Sequence, residues 1–293
     1  MASRRRALCS DVSRANSESL AATASRIDSW LLVEYRGLWP RQPLSAHGLD
    51  AEVKAHVREQ LARVAPARLL FVKRHKGREA PGLRVYHGSS RDGEARFFRR
   101  VLDGYEGLLA LELGAACSAD EPVEHPLFVV CTHGKRDRCC AVYGRPLYDA
   151  ARKEFGDDWV WQASHVGGDR FAGNLIAFPH GLCFGRVGPS DVPALLNAYR
   201  DGRVLLEHYR GRCAYTFAEQ AAERALREEL ALAEVDDLAL VGSRRDGQRW
   251  RIRYRTRDGA VHEKTVVAEL GEPAHLTCDA AVKQRPRHFT AID

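Results

Sequence analysis

The sequence predicts an α/β (α+β) chain: a thioredoxin-like mixed sheet with flanking helices, preceded by a degenerate copy of that order and followed by a small helix plus antiparallel sheet. Three observations carry this expectation. Through the first two thirds of the chain, short apolar runs bounded by turn residues alternate with stretches of helical apolar spacing. The order strand, helix, strand, loop, hairpin, helix across residues 122–212 is the thioredoxin-like one, and its first part recurs upstream without repeated sequence. Asp246-Gly247 and Asp258-Gly259 then join three strands, and such pairs are strong signals for tight hairpins.

The elements follow in order. Residues 1–20 form a polar N-terminal arm. In an N-terminal α/β domain over 21–119, residues 30–35 read as a strand. A helix follows, with Asp50 as its N-cap and Val53, Val57, Leu61 and Val64 on one face. Residues 68–73, 83–86 and 108–113 read as further strands. A thioredoxin-like domain over 120–213 starts with the apolar run 127–130, then a helix near 147–155 whose Leu147, Ala150, Ala151 and Phe155 face inward. Strands at 159–163, 174–178 and 182–187 follow, the last two separated by Pro179-His-Gly181, which is turn chemistry. Asp191 caps a helix carrying Val192, Leu195, Leu196 and Tyr199.

A C-terminal helix plus β-meander domain covers 214–293. Thr216-Phe-Ala-Glu219 is a capping-box pattern opening a helix to about Leu232. The middle strand alternates strictly. Arg249, Arg251, Arg253, Arg255 and Arg257 point one way; Trp250, Ile252, Tyr254 and Thr256 point the other. With Asp258-Gly259 as a two-residue loop, Arg255 faces His262 and Arg253 faces Lys264, giving a basic face with few acidic partners. Residues 285–292 read as a last short strand. Arg74-His-Lys-Gly-Arg78 reads as a short basic loop.

Composition narrows the function classes. A hydrophobic content of 45% with 29% charged residues describes a folded chain long enough for two or three cores. No apolar run approaches the ~20 residues needed to cross a bilayer, so no membrane association is expected. The basic start lacks an apolar stretch after it, and Asp11 and Glu18 argue against a transit peptide; a cytoplasmic address is expected. The net charge of +6 comes from interleaved signs and implies no nucleic-acid binding. Eight cysteines over 293 residues make no disulfide framework. Nothing here sets an oligomeric state.

Chemistry is concentrated in two loops. Cys131-Thr-His-Gly-Lys-Arg-Asp-Arg-Cys-Cys140 follows the apolar strand 126–130, and Ser164-His-Val-Gly-Gly-Asp169 follows Trp159-Val-Trp161. Thiolates with imidazole select zinc, copper or iron–sulfur groups over hard ions. The spacing is not that of a zinc finger, because no C-x-x-C pair is present. The same absence argues against thioredoxin-type thiol chemistry. Set against this, Cys131 at a strand end is compatible with plain core packing, His165 with a polar loop edge, and Asp169 with a cap or an ion pair to Arg170. Adjacent residues rarely enter one site together, so of Cys139 and Cys140 one is a ligand and the other packs. Gly167 and Gly168 allow close approach of backbone to a bound group. Arg136 and Asp137 are expected to shape the first loop through side-chain to backbone hydrogen bonds. Cys183, Cys213, Cys117 and Cys278 are assigned to core elements with no chemistry.

The motifs C-T-H-G-x-R-D-x-C-C and H-V-G-G-D-R-F-A-G-N resemble those of the sucrase/ferredoxin-like family, whose members are similar to thioredoxin-like 2Fe-2S ferredoxins and include bis-histidinyl cluster proteins of yeast. Cys9-Ser-Asp, residues 23–34 and Phe178-Pro-His-Gly181 are similar to family segments as well. The resemblance implies a 2Fe-2S cluster, with zinc as the alternative group. It places the two cysteine ligands on Cys131 and Cys140, and the first histidine on His165. Where bis-histidinyl members carry a second histidine, this chain has Asp169. The fourth ligand is therefore open between Asp169, Cys139, His133, Cys9 and Cys278.

The functional expectation is an electron-transfer or redox-sensing protein, more an electron carrier than an enzyme. Its partner would be a redox protein with an acidic face that meets Arg249, Arg251, Arg253 and Arg255. The alternatives are a thiol oxidoreductase using Cys131 with Cys139 or Cys140, and a zinc-stabilised interaction module.

Overall fold

The computed structural model describes residues 7–75 and 81–292. Fourteen strands among these residues form two sheets. The large one is built from β1 (Ser29–Glu34), β2 (Ala67–Lys73), β3 (Leu83–Ser89), β4 (Arg96–Leu102), β5 (Glu121–Pro122), β6 (Leu127–Cys131), β7 (Val160–Ala163), β8 (Leu175–Phe178), β9 (Leu182–Phe184) and β10 (Tyr209–Arg212). Their order across the sheet is β10-β9-β8-β6-β7-β2-β1-β3-β4-β5. β6 runs parallel to β7 and antiparallel to β8; β1 likewise runs parallel to β2 and antiparallel to β3. The upstream set thus repeats the strand directions of the thioredoxin-like set. The two meet at a short antiparallel pairing, Val72 with Ala163 and Lys73 with Gln162.

The central strands are buried on both faces, which explains their unbroken apolar runs. Along β6, Leu127, Val129 and Cys131 enter one core with Trp30, Leu32, Trp161 and Phe178, while Phe128 and Val130 enter another. Helices α3 (Arg138–Phe155) and α4 (Val192–Arg200) supply Leu147, Ala151, Leu195 and Leu196 to that second core. Helix α2 (Ala51–Arg63) covers Leu31, Val33 and Phe71 with Val53 and Val57. The small sheet, in order β11 (Leu238–Asp246), β12 (Arg249–Thr256), β13 (Val261–Leu270) and β14 (Arg287–Ile292), packs Ile252, Tyr254 and Val266 against α5 (Phe217–Glu229). The capping box of α5 forms as expected: Thr216 N donates to Glu219 Oε2 at 2.7 Å, and Glu219 N to Thr216 Oγ1 at 3.4 Å.

Several expectations need correction. The run 108–113 is not a strand: residues Tyr105–Ala110 form a 3-10 turn, whose Leu108 alone is buried. Helix α3 starts at Arg138, well before Leu147, because Asp137 caps it and its Pro146 lies on the exposed side. The polar arm contains a helix, α1 (Cys9–Ala15), that buries Cys9, Ser10 and Ser13. In the small sheet, Arg255 opposes Val261 and Arg253 opposes Glu263, one residue off the expected register. The arginine face is exposed on alternate residues as expected, but it carries an acidic group opposite Arg253. Of the basic loop read at 74–78, residues 76–78 lie outside the described residues. No helix of the described residues is long and apolar enough to cross a membrane.

Candidate metal centre

Parallel pairing of β6 with β7 puts the ends of both strands at one edge, with Cys131 beside Ala163. The loops leaving the two strands therefore converge there. From β6 the chain turns through residues 132–137 into α3; from β7 it turns through Ser164 to Gly168 into a 3-10 turn at Asp169–Phe171. Asp137 Oδ1 accepts a hydrogen bond from Cys139 N at 2.9 Å, ending the loop and starting the helix, as the expectation for Asp137 requires. Gly144 lets α3 lie against the end of β6, and Cys140, in the first turn of α3, reaches back to Cys131.

The ligand atoms of Cys131, Cys140 and His165 all lie within 4.8 Å of one another. Cys131 and Cys140 are each 1% exposed. Asp169 closes the group. The Cys140 thiol donates to its Oδ1 at 3.4 Å, and His165 Nδ1 lies 3.1 Å from the same oxygen. Arg170 instead pairs with Glu18 at 2.7 Å, so Asp169 is not tied up in the ion pair weighed from the sequence. His133 stands behind the site: its Nδ1 accepts from His165 N at 3.2 Å, and its ring meets Trp39 edge-on. Cys139 points elsewhere, to Cys9 and Cys278 at 3.5 and 3.2 Å. Adjacent cysteines on one helix turn thus serve opposite sides.

The surroundings push the two thiols of the pair in opposite directions. Cys131 is held well below the usual thiol range, by the Cys140 S–H and then by His165, against the cost of burial. Cys140 is driven upward by the Cys131 thiolate, by burial and by Asp169. Burial disfavours a charge on His165, yet Asp169 and Cys131 outweigh it and raise the ring to about 9. Burial opposes the Asp169 carboxylate as well, and His165 with Cys140 keeps it low. The amino end of α3 adds a favourable dipole beside the pair of sulfurs.

Arg210 was not legible as part of this site. Buried at 2% exposure, its guanidinium donates to Gly167 O at 3.1 Å, Asn174 Oδ1 at 2.8 Å and Thr23 O at 2.6 Å. It packs so closely on Gly168 that a Cβ there would meet Nη2 at 2.3 Å. Gly168 is also left-handed, at φ 79°, so a glycine is required twice over. A lone arginine on a β-strand carries no sequence signal for such a role. Cys9 and Cys278, candidates for the fourth ligand, lie with Cys139 and not with Cys131.

A family described as Sucrase/ferredoxin-like matches residues 20–211, which include every residue of the centre. The chain belongs to this family. Among curated relatives, a protein of Eremothecium gossypii named "Altered inheritance of mitochondria protein 32" is 28% identical over 168 residues, covering 50% of this chain and 49% of the relative. Proteins of the same name from Meyerozyma guilliermondii and Saccharomyces cerevisiae (strain YJM789) are 31% and 32% identical over 102 and 96 residues. These cover 31% and 28% of this chain, and 36% and 31% of the relatives. The chain thus spans about half or less of the relatives it matches. No solved structure matches. The relatives correct the functional expectation. They are named for mitochondrial inheritance and not as ferredoxins, electron carriers or thiol oxidoreductases, so the family membership stands and the electron-transfer assignment does not.

Proposed function

We propose that this chain is a metal-binding member of the sucrase/ferredoxin-like family, with its centre at Cys131, Cys140 and His165. The convergence of two buried thiols and one imidazole from three separate chain segments is the observation that carries the reading. The donor chemistry fits a soft or borderline group. His165 Nδ1 is buried with the Asp169 carboxylate beside it, and the ring would give up a proton to bind a metal through one of its nitrogens. A 2Fe-2S cluster is the first candidate, on the family motif, and zinc the second. Cys131 and Cys140 would supply the thiolates, His165 the imidazole, and Asp169 is the nearest further donor. Either group, when bound, supplies a cross-link between the loop after β6 and the loop after β7. The Cys131 thiol, held low by Cys140 and His165, would give up its proton readily to such a group, and Arg210 and His133 hold the backbone around His165 in place.

The centre, and not the process named for the relatives, is what the residues here support. A cytosolic address remains our proposal from the sequence, while the relatives' name ties those proteins to mitochondria; subcellular fractionation separates the two. The deciding experiment for the centre is anaerobic purification followed by iron, acid-labile sulfide and zinc analysis. Equal iron and sulfide with visible colour supports the cluster. Zinc without colour selects the second candidate. Metal-free protein in which Cys131 and Cys140 react freely with a thiol reagent overturns the proposal.

A further inference from the structure

Cys139, the neighbour of a ligand of the first centre, lies in a second cluster with nothing in common with it but the helix turn. Its sulfur is 3.5 Å from that of Cys9 and 3.2 Å from that of Cys278, and Cys278 to Cys9 is 3.8 Å. Asp137 Oδ2 lies 4.0 Å from the Cys9 sulfur. Cys9 comes from α1, Asp137 and Cys139 from the start of α3, and Cys278 from the connection between β13 and β14. All four are buried.

We propose that Cys9, Cys139, Cys278 and Asp137 form a structural zinc site, separate from the first centre. A disulfide between any two of the sulfurs would leave the third beside it without use, whereas one tetrahedral ion takes all three. With Zn–S bonds of about 2.3 Å, a tetrahedron has S–S edges of about 3.8 Å, so the triangle need open by about 0.6 Å at its shortest edge and hardly at all at its longest. The donors are thiolate and carboxylate, a set that suits zinc and not magnesium or calcium. Closed burial leaves no position for substrate, the mark of a structural site.

The surroundings hold the donors in place. Ser10 Oγ donates to the Cys139 sulfur at 3.1 Å. Asp137 accepts from Cys139 N with one oxygen and from Cys278 N with the other, at 2.7 Å. Oδ2 keeps a further lone pair for the ion. Such outer contacts orient ligands in metal sites. On binding, each thiol that still carries a proton releases it to solvent, and the ion is held by three thiolates and one carboxylate. The ion would tie α1 and the β13–β14 connection to the helix turn that presents Cys140.

The test uses the full chain with Cys131→Ala and Cys140→Ala, which disables the first centre, produced with added zinc. One zinc per chain after gel filtration is expected, and Cys278→Ala in that background should bring it to background level. In the protein without substitutions, Cys9, Cys139 and Cys278 should resist iodoacetamide until a chelator is added, as read by mass spectrometry of peptides. That arm holds even if the double variant fails to fold. Free alkylation of all three without chelator, or a disulfide between two of them, overturns the site. Because the first centre is read separately, by metal in a chain that carries Cys278→Ala alone, failure at one site is distinguishable from failure at the other.

Discussion

Gly144 of α3 lies against the end of β6 so closely that a Cβ on it would sit 1.9 Å from the carbonyl oxygen of Cys131. The helix axis, and with it the reach of Cys140, depends on that missing side chain. The obstacle is backbone and cannot rotate away. Gly144→Ala should therefore lower stability by roughly 1–3 kcal/mol, the range for overpacking, and reduce metal bound at the first centre. Thermal melts and metal analysis check it. Val142→Ala, on the exposed side of the same helix, serves as the control and should change neither.

Arg210→Met keeps the apolar stem and removes the guanidinium. The carbonyls of Gly167 and Thr23 and the Asn174 side chain then lose a charged donor in a buried place. A cost of about 3 kcal/mol follows from leaving such groups unpaired. Hydrogen exchange should rise at residues 164–170. Wild-type protection there would show that the loop holds itself.

The adjacent cysteines should separate cleanly. Cys140→Ala removes a ligand of the first centre, while Cys139→Ala leaves that centre loaded and loses the zinc of the second. Metal analysis of the two variants side by side reads both. Loss of the first centre in Cys139→Ala with retention in Cys140→Ala would reverse the assignment.

Asp120 sets an acid limit on the fold. Burial works against its charge, but Arg100 at 2.8 Å, the Cys117 N–H and His87 at 3.1 Å together hold it well below the ordinary 3.8. A carboxylate depressed in the folded state contributes stability above its unfolded pKa, and that contribution fades as pH falls below about 4. Asp120→Asn should cost roughly 3 kcal/mol at pH 7, since it leaves the Arg100 guanidinium without its counter-charge. The gap between variant and parent should narrow on going from pH 5 to pH 2. Urea melts at these values check the sign; a gap that widens in acid would refute it.

Local pattern carried most of the elements and little of their mutual placement. Double-sided burial announced β1, β2 and β6, and the alternation of β12 was plain, because each is set by its own residues. Strand β4 was missed because Arg96, Arg99 and Arg100 break its apolar pattern; Arg100 is buried only by virtue of Asp120, which no local rule reveals. Pro146 hid the first half of α3, since a proline in a helix is read as a boundary unless its exposed side is known. The Cys131, Cys140 and His165 grouping was legible from the motif. The turning of Cys139 toward Cys9 and Cys278 was not, since it depends on contacts 130 and 139 residues distant.

The short seam between β2 and β7 has a consequence for how the chain is divided. Two sets of strands with like directions lie on either side of that seam, and Cys131, Cys140 and His165 lie on one side of it. The other side reaches across it: Phe71 and Ser164 exchange hydrogen bonds at 2.7 and 2.9 Å, Arg68 holds Val166 O at 2.8 Å, and Trp39 backs His133. A fragment trimmed to residues 120–213 would retain Cys131, Cys140 and His165 yet lack the wall that orients the histidine loop. It could regain that wall only from the missing half supplied in trans.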